Sequence, residues 1–147
     1  MIDFEYRLIC KALMGDHEAL APLRSQVKYL VAKTRRRQTN RYYVEFELPS
    51  EYSKCSDHNE SYAALYIEDT FCTIEESNHQ FNVKLTKIDG YLRWFEICGD
   101  FEFRNDFTVK DVYWCKRNME TNSDELQTPS SERDYEWGFL YAPSCRG

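Results

Sequence analysis

Tyr42-Tyr43-Val44-Glu45-Phe46-Glu47-Leu48 sets Tyr42, Val44, Phe46 and Leu48 against Tyr43, Glu45 and Glu47. Successive side chains on a strand point to opposite faces, so this alternation predicts a strand with one buried and one wet side, closed by Pro49. The preceding Val31 to Gln38 reads as its partner, with Thr39-Asn40 in the turn. Downstream, Ala63, Leu65 and Ile67 alternate with Ala64, Tyr66 and Glu68, and Phe71 to Ile74 extends or restarts that strand across Glu68-Asp69. Phe81, Val83 and Leu85 run into Asp89-Gly90 and then Tyr91, Leu92, Trp94 and Phe95 to Ile97. A D-G pair between two such runs predicts a tight hairpin.

Upstream the period changes. Phe4, Leu8, Ile9, Ala12 and Leu13 recur at helical spacing up to Met14, and Gly15 ends the segment. Asp16 reads as the N-cap of a second helix carrying Leu20, Leu23, Val27 and Leu30 or Val31, with Pro22 in its first turns. Thr108 to Tyr113 fits a further short strand or a helical turn. Two helices ahead of several hairpin-linked strands, without βαβ alternation, predict an α+β fold: two N-terminal helices packed on a mostly antiparallel sheet. With 147 residues the chain reads as a single domain, 1–147. Ser50 to Ser61 is polar, and 118–134, centred on Thr128-Pro129-Ser130-Ser131, reads as a flexible loop or tail. Tyr135, Trp137, Phe139 and Leu140 stand against a dangling terminus, because four large apolar groups need a surface to cover.

Nineteen Lys and Arg against twenty-five Asp and Glu leave a net charge of -6, which disfavours attraction to nucleic acid or to an anionic membrane surface. No stretch has the length of an apolar membrane span. The six cysteines never form a C-x-x-C pair, and the first residues lack the pattern of a secretory signal, so free thiols in the cytoplasm are expected.

Tests for chemistry return little. His17, His58 and His79 have no metal-ligand spacing, the nearest approach being Cys55, Asp57 and His58 in a polar loop. Cys72, Cys98 or Cys115 with His79 would formally supply a nucleophile and base, but a small buried thiol is the simpler role. Glu45, Glu47 and Glu96 are the carboxylates for a hydrolase-type alternative. The five glycines form no phosphate-binding loop. Lys28, Lys33, Arg35, Arg36, Arg37 and Arg41 form the densest charge cluster, read as an edge strand or loop rim whose charges oppose unwanted pairing. No catalytic, cofactor or metal residue is therefore assigned.

Ala12-Leu13-Met14-Gly15-Asp16-His17 followed by Leu20, Leu23, Arg24 and Gln26, then Arg36 through Tyr43 and Phe46, then Ile88-Asp89-Gly90-Tyr91-Leu92 with Glu96 and Gly99-Asp100, carry a pattern. Over roughly the first hundred residues it resembles a family of small bacterial proteins of no established activity. Members of that family have an L-x-x-L-R-x-Q helix, an R-E-F-T-G-V-G-F-F-T-x-F strand and a D-G-x-L-x-x-L-E-G-x-x-x-G-D hairpin. The chain departs from the pattern at Gln38 to Tyr43, at Phe95 and at Cys98. The resemblance implies an α+β fold and a bacterial setting, and no residue inherits a catalytic role from it.

These readings favour a non-enzymatic protein that binds another protein, in the manner of an immunity protein neutralising a basic partner. Tyr91, Trp94, Tyr135 and Trp137 are the expected contacts, because aromatic groups anchor interfaces and opposed charge speeds encounter. A homodimer formed through sheet edges or the tail is the further alternative.

Overall fold

The computed structural model describes residues 1–47, 62–116 and 128–143. The first helix, α1 (Asp3–Ala12), starts where Glu5 reaches back to accept the Ile2 N–H at 3.1 Å. Helix ends leave carbonyls without intrahelical partners, and here side chains distant in sequence supply the donors. Arg133 Nη1 donates to the carbonyls of Ala12 and Met14, each at 2.7 Å. Arg24 donates to those of Leu13 and Gly15, and the Trp114 indole N–H to that of Lys11. Cations at a helix C-terminus also oppose its negative dipole end.

The second helix is shorter than its apolar spacing predicts. It comprises α2 (Leu20–Arg24) and a single 3-10 turn over Val27–Tyr29. The Ser25 hydroxyl donates to the Pro22 carbonyl at 2.7 Å, and the Gln26 N–H turns to Leu23 instead, so the α ladder stops there. Asp16 is not the cap. The His17 ring accepts the Ala19 N–H at 3.1 Å in that place.

Among the described residues seven strands build one sheet in which every pair is antiparallel. They are β1 (Val31–Glu47), β2 (Tyr62–Ile74), β3 (Gln80–Ile88), β4 (Tyr91–Glu102), β5 (Val109–Lys116), β6 (Thr128–Ser130) and β7 (Phe139–Pro143). The order is β1-β4-β3-β2-β5-β6, with β7 beside β2. The run β1 doubles back on itself. Thr34 Oγ1 lies 3.3 Å from Glu45 Oε2, whereas a straight strand would hold those residues roughly 36 Å apart. Asn40, with φ +66, sits at the reversal, as the Thr39-Asn40 turn predicts. Its inner arm pairs β4, from Arg41↔Cys98 to Glu45↔Trp94.

Asp89 and Gly90 have φ +50 and +87, the signs that a type I′ hairpin requires, and they join β3 to β4. Gln26 is buried over this turn, its Nε2 donating to the Gly90 carbonyl and its Oε1 accepting the Leu92 N–H. The helical segment and the hairpin singled out in sequence thus meet in space. Thr108 to Tyr113 falls in the strand reading through β5.

The core lies on one face, where Tyr42, Val44, Phe46, Leu65, Ile67, Phe81, Val83, Leu85, Phe95 and Ile97 meet Leu8, Ile9, Ala12 and Leu13 of α1 with Leu20 and Leu23. A register shift between Ile67 and Thr70 lets the buried side of β2 pass from odd to even positions, so that Cys72 and Ile74 stay in the core. Asn82 Nδ2 donates to the carbonyls of Glu68 and Thr70 at that shift. At the far end of β2, Gly99 leaves room for Phe81. A Cβ on Gly99 would sit 2.3 Å from the Phe81 ring.

Of the stretch 118–134, residues 118–127 lie outside the described residues. Thr128–Ser130 forms β6 and Arg133 is buried. Leu48-Pro49 and the Ser50 to Ser61 loop, with Cys55, Asp57 and His58, also lie outside them. Among the described residues no helix is long and apolar enough to cross a membrane.

Candidate protein-binding face

Residues directly opposite on neighbouring strands share a face. On the sheet face turned away from α1, register therefore aligns three rows. One runs Glu45, Trp94, Thr86, Tyr66, Leu140 across β1, β4, β3, β2 and β7. Beside it run Tyr91, Ile88 and Ala64, and on its other side Tyr43, Glu96 and Lys84. The result is an aromatic and aliphatic corner made of Tyr43, Tyr66, Ile88, Tyr91, Trp94 and Leu140. Tyr43 and Trp94 approach with ring centroids 6.4 Å apart, and Leu140 is 48% exposed.

Charged groups border this corner in alternating sign. Arg41 donates from Nε to Glu96 at 2.8 Å, and its guanidinium lies 4.5 Å from the Tyr43 ring centre. Lys84 stands 3.9 Å from Glu68, and Lys33 3.9 Å from Glu45. This face is half-buried rather than fully wet, because the long stems of such side chains lie over one another and over the rings. Burial followed by the Glu45 charge raises the Tyr43 hydroxyl above its ordinary range, so the ring stays neutral.

Of the four aromatics expected as contacts, the fold brings Tyr91 and Trp94 together. Tyr135 instead packs among His17 and Phe139, with ring centroids 4.8 and 5.1 Å away, on the side of α1. Trp137 sits in α3 (Tyr135–Gly138), its backbone N–H donating to the Asp134 carboxylate. Tyr135 and Phe139 thus complete this chain's own body. Tyr43, Tyr66, Ile88 and Leu140 were missed, and only strand register could have grouped them.

The carboxylates weighed for acid and base work are otherwise engaged: Glu96 with Arg41, and Glu45 with Lys33 and Thr34. Glu47 is exposed at the end of β1. His79 faces Asp100 at 3.6 Å. Burial pushes the Cys72 and Cys115 thiols up to about 12, and burial with the Glu96 charge raises Cys98, the opposite of nucleophile activation. Among the described residues no group of three His, Cys, Asp or Glu could hold a metal ion. Comparison of the chain with protein-family models, with curated proteins and with solved structures finds no match.

Proposed function

We propose that this is a non-enzymatic protein that binds another protein through the sheet face opposite α1. The observation that carries the reading is the corner formed by Tyr43, Tyr66, Ile88, Tyr91, Trp94 and Leu140, half-exposed and bordered by paired charges. Interfaces are built this way, with aromatic anchors at the centre and a polar rim that excludes water. The net charge of -6 favours a basic partner by steering its approach. A bacterial cytoplasm, as the family resemblance implies, and a role like that of an immunity protein belong to the same proposal.

Photo-crosslinking from the two sides of the molecule tests it. Leu140 is 48% exposed on the proposed face and Met14 49% exposed beside α1, so exposure is matched. With benzoylphenylalanine at either position, a discrete adduct from native lysate is expected at Leu140 and not at Met14, and is expected to disappear when Trp94→Ser is added. Equal adducts at both positions, or none at Leu140, overturn the reading.

A further inference from the structure

Charge is unevenly distributed along this chain. Between Ala19 and Val44 there is no Asp or Glu, and seven of the nineteen cations fall there: Arg24, Lys28, Lys33, Arg35, Arg36, Arg37 and Arg41. The other twelve cations face all twenty-five acids, so a local +7 sits on a remainder of -13, which sums to the net -6.

The fold gathers most of this charge on the outer arm of β1. The sheet order begins at β1, whose inner arm pairs β4, so the outer arm, Val31 to Gln38, is the sheet's terminal strand among the described residues. An edge strand presents a row of unpaired backbone N–H and C=O groups. Two of its arginines are turned inward and hold it in place. Arg35 binds both oxygens of Glu5, at 2.8 and 2.9 Å, and Arg37 donates to the carbonyls of Phe103 and Asn105. The other two cations are exposed. Arg36 is exposed and forms no ion pair among the described residues, and the Lys33 side chain is 57% exposed with Glu45 no nearer than 3.9 Å. Lys33 reaches toward Glu45 and the Arg36 charge acts on Tyr43, so both cations border the side of the sheet that carries Glu45 and Tyr43.

We propose that this arm is a strand-addition site for an extended acidic segment of another protein. Backbone hydrogen bonds to the edge would supply affinity, and alternate acidic side chains, which share one face of an extended segment, would meet Lys33 and Arg36. Anchoring by Arg35 and Arg37 lowers the cost of ordering the edge on binding. A second copy fits poorly, because two such arms side by side oppose cation to cation. A nucleic acid also fits poorly. It offers no backbone ladder to pair with the edge. The site borders the aromatic face at Glu45 and Tyr43, but its backbone pairing along 31–38 does not depend on what binds there.

Fluorescence anisotropy on the full chain tests it with three labelled probes: an octapeptide alternating Glu and Val, one alternating Glu and Pro, and oligothymidine. The Glu-Val peptide is expected to bind and to shift amide resonances within 31–38. Lys33→Glu with Arg36→Glu is expected to weaken it by about tenfold or more. The Glu-Pro peptide carries the same charge but lacks every second backbone donor and has its proline φ fixed away from the strand value, and is expected to bind at least as much more weakly. Equal binding of the two peptides, tighter binding of oligothymidine, shifts that avoid 31–38, or competition by dimerisation of the chain would each overturn the proposal.

Discussion

Arg133 and Asp69, distant in sequence, form a two-pronged ion pair with the Arg133 side chain 1% and the Asp69 side chain 0% exposed, the Nε–Oδ2 distance being 2.8 Å. Asp69 lies at the β2 register shift, and Arg133 spends its remaining donor nitrogen on the end of α1. Trp114 and Phe139 flank the guanidinium, their ring centres 5.0 and 5.1 Å away. Gly138 is pressed against the same carboxylate, so close that a Cβ there would lie 2.6 Å from Asp69 Cβ. One residue thus ties the C-terminal strand, the middle of the sheet and the first helix together.

Arg133→Met leaves a buried carboxylate uncompensated and is expected to cost about 3–5 kcal/mol. Adding Asp69→Leu removes the stranded charge and is expected to recover part of that loss. Recovery stays incomplete, because the carbonyls of Ala12 and Met14 still lack their donor. Denaturant midpoints of the two variants check this, and equal stability of the single and double variants would contradict it.

Glu5 sets a pH dependence. Burial opposes its ionisation, but bonds from Arg35, Tyr42 and the Ile2 N–H outweigh that and hold its carboxyl below the usual range. A depressed folded value contributes stability that is present above the unfolded carboxyl value of about 4.3 and is lost as pH falls through the folded one. Glu5→Gln is therefore expected to be less stable than the parent at neutral pH, with the gap closing in acid. Unfolding curves from pH 7 down to about 3 read this directly.

Glu102 offers a local readout. A hydrogen bond from Arg104, then one from Thr39, holds its carboxyl at about 2. In a carbon-detected NMR titration, Arg104→Ala is expected to return the Glu102 midpoint toward about 4. An unmoved midpoint would mean that the Thr39 hydroxyl alone suffices.

Gly99→Ala is expected to destabilise by about 1–3 kcal/mol, since its methyl group enters the space of the Phe81 ring. Shortening the ring side chain with Phe81→Leu should make the added alanine nearly free. The resulting non-additivity in thermal unfolding would separate a steric cause from a backbone one.

Thiol labelling of the native protein followed by peptide mass spectrometry is expected to modify exposed Cys10 readily. Cys72 and Cys115, buried and with thiols near 12, should react only once denaturant opens the core. Rapid native labelling of Cys72 would show that the sheet opens between Phe81 and Val112, its cross-strand neighbours.

Much of the sheet was legible in the chain. The alternation through Tyr42, Val44 and Phe46, the Thr39-Asn40 reversal and the Asp89-Gly90 turn are local statements, because side-chain period and positive φ depend on a few consecutive residues. α1 was readable for the same reason. The second helix misled because its apolar spacing continues past Ser25, while a serine hydroxyl and the demand of the hairpin tip for Gln26 stop the ladder. Sequence alone determined which residues alternate, where the chain turns, and that charge is concentrated before Val44. Only the tertiary structure decided that Trp94 shares a sheet face with Tyr43 and Tyr66 while Tyr135 packs elsewhere, and that Asp69 belongs to Arg133. Periodicity acts within one element. Register and buried ion pairs join elements remote along the chain, and are selected only when the whole sheet closes over its core.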